Sequence, residues 1–202
     1  MYADSASVLL DSIQAPDELT DKDFAHWCML CGKVTDEAAT GLLPIYQWQR
    51  AQQWFTEHGT AEEQAQIDLY LGRAYVEDGE YDKAMQIYAD ALQLAKEHQA
   101  YNVAGYICAY MADLYGFRDI TSECLKKREE ACEFFKKAEN YKSYAYSLKD
   151  LAGEWAILDS FACTIPLLQK ADSISQLLHN KNLTAAIANA FALIYEMQGK
   201  YN

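Results

Sequence analysis

A chain of 202 residues, half of them apolar and only three of them proline, suffices for one domain or one uninterrupted run of stacked helices. Its net charge of −13 leaves no basic footprint for direct nucleic-acid binding and favours basic or neutral partners. No apolar run approaches the roughly 20 residues of a membrane span, and apolar residues recur at helical rather than strand spacing. The expected class is all-α.

In chain order, Ala6, Leu9, Leu10 and Ile13 mark a first amphipathic helix, which Pro16 stops. Thr20 or Asp21 is a plausible cap for a helix over Phe24 to Val34. Gly41 to Pro44 breaks it, and a helix over Ile45 to His58 follows with Trp48, Ala51, Trp54 and Phe55. Ala65 to Lys96 reads as two helices joined at Asp78-Gly79-Glu80. Gly72 lets a neighbouring helix come close, and Tyr81, Ala84, Tyr88 and Ala91 form a buried stripe. From Gly105 a third pair carries Met111, Ala112 and Tyr115. Its second helix opens with Lys126-Lys127-Arg128-Glu129-Glu130, which reads as a solvated face of oppositely charged neighbours. The fourth pair has Leu151, Ala152, Trp155, Phe161 and Ala171, with Pro166 near the start of its second helix. The last stretch has Phe191, Ala192, Tyr195, Gly199 and Tyr201.

These stretches are copies of one unit about 40 residues apart. Tyr75 maps to Tyr115, Trp155 and Tyr195. Gly72 maps to Ala112, Ala152 and Ala192, and backwards to Gly32. Gly79 maps to Asp119, Asp159 and Gly199. Leu71, Gly72, Tyr75, Gly79, Tyr81, Ala84, Tyr88 and Ala91 in that order resemble a tetratricopeptide repeat (TPR), with Asp68 where the family often has Trp. The resemblance implies an αα-superhelix of antiparallel helix pairs, with no internal domain boundary. The repeats run about 20–58, 65–98, 105–139 and 145–179, flanked by half repeats at 1–15 and 185–202, as in a fragment of a longer protein. The family period is about 34, so the extra residues are expected in the helices and in the links between repeats.

In this family the first helices line a concave groove for a peptide or protein partner. The matching columns hold Gln66, Leu69, Arg73, Val76 and Glu77, then Tyr106, Ala109, Asp113, Gly116 and Phe117. They continue with Tyr146, Lys149, Gly153, Ala156 and Ile157, and end with Asn189, Leu193, Glu196 and Met197. The N-terminal unit adds His26, Met29, Lys33 and Glu37. The Lys/Asn/Arg carboxylate clamp of one subfamily is not reproduced, which argues against chaperone-tail binding. The whole chain is also similar to bacterial regulator arrays, where such repeats are the sensing or assembly region. A structural alternative is self-association, as a homodimer through exposed end helices.

Chemistry is not indicated. Cys28-x-x-Cys31 lacks a second Cys/His pair at ligand spacing, and both residues fall on packing columns, so no metal site is assigned. His58, His98 and His179 suit helix C-termini. His26 and Cys28, two apart, point to different faces. Without a phosphate loop, zincin motif or nucleophile elbow, no catalytic residue and no cofactor is assigned. The compartment is left open.

Overall fold

The computed structural model describes residues 2–38 and 42–199, without the side chains of 2–5, 11 and 36–38. Gly41, Tyr201 and the Glu37 side chain therefore lie outside the described residues. The helices are α1 (Tyr2–Asp11), α2 (Asp21–Ala38), α3 (Ile45–His58), α4 (Ala61–Glu77), α5 (Tyr81–Glu97), α6 (Tyr101–Phe117), α7 (Thr121–Lys137), α8 (Tyr141–Ile157), α9 (Phe161–Leu177) and α10 (Lys181–Met197). A 3-10 turn, Pro16–Glu18, precedes α2, and no strand occurs among the described residues. Helices next to each other in sequence pack against one another from α1 through α5 and from α7 through α10, and the chain forms two compact units, Met1–Val103 and Ala104–Asn202.

From Ala61 onward a helix begins every 20 residues and runs for 17. The three-residue link is therefore the same inside a repeat (78–80) and between repeats (98–100), and the expected longer inter-repeat link does not occur. Each link ends its helix in the same way. The Glu80 amide donates to the Tyr75 carbonyl at 2.9 Å, and the Gly79 amide to Val76 at 3.1 Å. The pair recurs as Ile120 to Tyr115 and Asp119 to Gly116, and as Asn140 to Phe135 and Glu139 to Lys136. This Schellman arrangement needs a left-handed residue. Gly79 supplies it at φ 78°, whereas Gln99, Asp119, Glu139, Asp159 and His179 adopt it at 50–58° despite their side chains. All the residues added to the usual period thus extend the helices, where each one gains a backbone hydrogen bond. The start of α4 is fixed by a capping box: Thr60 accepts from the Glu63 amide, and Glu63 Oε2 accepts from the Thr60 amide at 2.9 Å.

In unit 1 the small residues seat the large ones. A Cβ on Gly72 would overlap the Tyr88 ring, and one on Gly32 the Tyr70 ring. Trp48, Phe55, Tyr70 and Tyr88 are fully buried, whereas Tyr81, expected in that stripe, stands 43 % exposed at the first position of α5. Arg50 on α3 lies over the Phe24 ring, 4.1 Å from its centroid. It also donates to the Asp17 and Leu19 carbonyls and to Asp21, tying the turn before α2 to the core.

Asp68, in the family's Trp column, is partly buried and accepts from Gln52 Nε2 at 2.6 Å. Burial, with Asp90 nearby, pushes its carboxyl up to about 6 from an ordinary 3.8. The folded state therefore holds the proton more tightly than the unfolded chain does. The associated stability is fully present below pH 3.8 and is lost as pH rises through about 6. Asp68→Asn keeps an acceptor for Gln52 and removes the buried charge. At pH 8 it is expected to raise unfolding free energy by about 1 to 2 kcal/mol, and at pH 3.5 to change it little. Urea melts at the two pH values check this, and a gain of equal size at both would refute it.

In unit 2, Gly105 admits the Phe135 ring just as Gly72 admits Tyr88. Ala152, Ala156, Leu168 and Ile194 form a buried cluster flanked by Phe161, Ile165 and Phe191. Pro166 is the sixth residue of α9, beyond the first turn where proline is tolerated. It has no N–H to offer the Ala162 carbonyl.

Candidate binding groove of unit 2

The last residues of α6, α8 and α10 are Phe117, Ile157 and Met197, one at the same place in each first helix of this unit. They are 75 %, 70 % and 52 % exposed. Leu193, one turn back on α10, is 60 % exposed. Ile157, Met197 and Leu193 line an open pocket of about 330 Å³ between α8 and α10, which Leu168 of α9 and Arg128 of α7 also line. Ile157, Ala190, Leu193, Ile194 and Met197 supply apolar wall, while Lys149, Asp150 and Glu154 supply polar edge. Gly153 opens the α8 side, since a Cβ built there would meet nothing within 4 Å.

Arg128 occupies the column that Tyr88 fills in unit 1. Its side chain is 13 % exposed, so it is not on a solvated face as the charge run suggested. Nη2 donates to Asp113 Oδ1 at 2.7 Å, Nε to Glu154 Oε1 at 3.4 Å, and Nη1 to the Ala109 carbonyl at 3.5 Å. One guanidinium thus ties α6 to α8, because a core position given to Arg needs carboxylates around it. Lys127 pairs with Glu130 at 2.8 Å and is equally covered, whereas Lys126 remains exposed. Burial holds Asp113 above the usual carboxylate range even with Arg128 beside it.

The expected groove residues divide. Phe117, Asn189 and Glu196 are exposed, as is Glu77 in unit 1, while Val76 and Arg73 are half-buried. The Arg73 guanidinium lies 5.9 Å from the Tyr70 ring centroid. Tyr146 is half-buried. Asp113 is held by Arg128, and Lys149 pairs with the neighbouring Asp150. Tyr106 is engaged in internal contacts: its hydroxyl meets Ser143 Oγ at 2.8 Å and its ring stands edge-on to Phe135 at 4.8 Å. Leu69, Met29 and Ala156 are core residues, buried where neighbouring helices converge on their columns. Sequence reasoning overlooked Arg128, Asp150 and Glu154. The signal was an Arg in an aromatic column, with two carboxylates four apart on the next first helix.

Three of the thiols, Cys28, Cys124 and Cys132, are poorly suited to chemistry. All six cysteines are outside disulfides. Burial pushes Cys132 up to about 12, and burial together with Glu154 pushes Cys124 to about 11. Cys28 is raised further by burial and points at the Gln47 carbonyl. His26 bonds the Lys22 carbonyl and packs on Trp54 and Phe55. Among the described residues, no group of three or more His, Cys, Asp or Glu side chains is placed to hold a metal, and no helix is long and apolar enough to cross a membrane.

Repeated helix pairs of this kind define the fold of TPR-like repeat proteins. Solved structures of that class resemble the chain closely in shape and distantly in sequence. BtubC (BKLC) from P. vanneervenii superposes with a TM-score of 0.70 at 16 % identity, covering 98 % of this chain and 83 % of that one. A putative kinesin light chain from P. anserina, with nearly identical TPR-like repeats, gives 0.64 at 14 %, covering 93 % and 90 %. The apo form of RapI gives 0.65 at 14 %, covering 91 % and 73 %. No family model matches the sequence, and no curated protein matches it either. At these identities the likeness is one of fold alone, that of a helical repeat.

Proposed function

We propose that the chain is a non-enzymatic scaffold whose first helices bind a segment of a partner protein, with unit 2 carrying the main contact surface. The observation behind this reading is the row Phe117, Ile157 and Met197. Three large apolar side chains stand in solvent at one position of successive first helices, with Leu193 of α10 exposed one turn back. Exposed apolar residues in an ordered row mark an interaction surface, and a groove between parallel helices suits an extended or helical peptide.

Peptides selected from a displayed random 12-residue library on the intact chain provide the probe. Phe117→Ser is expected to weaken the selected peptides at least tenfold, read by fluorescence anisotropy, with the circular-dichroism melt unchanged. Failure to select any peptide, or affinities within twofold of wild type, would overturn the reading.

A further inference from the structure

We infer that the α8–α10 pocket of unit 2 accepts an apolar side chain of the partner segment, and that a lysine or arginine beside that side chain pairs with the carboxylates at the pocket edge. This rests on the groove reading above and assigns the chemistry of its ligand.

Two independent features carry it. The first is Gly153. Glycine is the costliest residue short of proline inside a helix. At Gly72 and Gly105 an internal reason is visible, because an aromatic ring occupies the Cβ position. At Gly153, beyond its chain neighbours and the backbone of its own helix turn, no atom of the described residues comes within 4 Å of that position, and Gly153 itself lines the open pocket. A side chain larger than alanine there would take up part of that space. The volume, about 330 Å³, is at the small end of ligand sites, and its mouth is open. It fits one or two side chains of a longer segment better than an enclosed small molecule.

The second feature is the sign of the exposed charge. Two carboxylates, Asp150 and Glu154, and two cations, Arg128 and Lys149, line the pocket, and a third carboxylate, Asp113, stands next to it against Arg128. The two most exposed of these charges are carboxylates: Asp113 is 45 % and Asp150 37 % exposed, against 25 % for Lys149, 19 % for Glu154 and 13 % for Arg128. Each ionised carboxylate has about four acceptor positions. Arg128 takes Asp113 through Oδ1, and the Asp113 side chain remains 45 % exposed. An incoming ammonium or guanidinium therefore meets the more exposed charges, Asp113 and Asp150, while an incoming carboxylate meets cations that are better covered than these and already paired. The whole-chain charge of −13 acts in the same direction at longer range.

The test uses the same 12-residue library on the intact chain, with three variants. The selected peptides are expected to share an apolar residue next to or near Lys or Arg. Gly153→Trp should weaken them at least tenfold, and Gly153→Leu serves where tryptophan lowers the melt. Asp150→Lys should weaken them three- to tenfold and flatten the salt dependence of binding, and peptides with the basic residue changed to Glu should lose binding on wild type. Selection of acidic peptides, or unchanged affinity in both Gly153 variants, overturns the inference. If Phe117→Ser still abolishes binding while the Gly153 variants bind normally, the groove reading stands and the pocket assignment falls. If no peptide is selected, both fall.

Discussion

Arg128→Ala is expected to destabilise the chain by about 3 kcal/mol, more than any exposed ion pair in it would cost. The guanidinium is largely covered, and its removal leaves Glu154 with little water and Asp113 already above its usual range. The cost therefore comes mainly from carboxylates stranded without a partner, and only partly from the pair itself. Neutralising all three partners together separates the two contributions. Arg128→Leu with Asp113→Asn and Glu154→Gln places an apolar side chain where Leu168 stands in the next repeat. That variant should return to within about 1 kcal/mol of wild type. Urea unfolding of the single and triple variants checks both values. A single-variant loss below about 0.5 kcal/mol would mean that Arg128 behaves as a solvated surface residue.

The second large effect is a pair of identical substitutions with opposite signs. Gly72→Ala places a methyl group inside the Tyr88 ring, and Tyr88 is fully buried between helices, so the ring or a helix must move. Overpacking of this kind costs about 1 to 3 kcal/mol and more when the obstacle is rigid. The gain in helix propensity, roughly 1 kcal/mol, does not cover it, and a net loss of about 2 kcal/mol is expected. Gly153→Ala meets nothing, so the propensity gain stands alone and the chain should gain about 1 kcal/mol. Thermal melts of the two variants, side by side, decide the matter. If both move in the same direction, the close approach at Gly72 or the open space at Gly153 is misplaced.

The family-like columns were legible in the sequence because burial makes them so. Trp48, Ala51 and Phe55, or Ala84, Tyr88 and Ala91, recur at three and four residues, and apolar burial enforces that spacing. The left-handed turns were half legible. Gly79, Asp119 and Asp159 announce themselves chemically. Gln99, Glu139 and His179 do not, since tertiary packing imposes their conformation against intrinsic preference. The charged run 126–130 was misread for a similar reason. Periodicity records which positions face inward only when apolar residues fill them, and here Arg128 fills an inward position with its counter-charges on α6 and α8.

By itself, then, the sequence determined the helix-pair repeat, its period of about 40 residues and the columns where small residues seat large ones. These follow from local periodicity and side-chain volume, which neighbours in sequence express. The tertiary structure alone decided which first-helix residues face solvent. It drew Tyr106 into a hydrogen bond with Ser143, buried Leu69 and joined Arg128 to Asp113 and Glu154 across two helices. Those outcomes depend on contacts between residues up to 37 positions apart, which no periodicity within a single helix encodes.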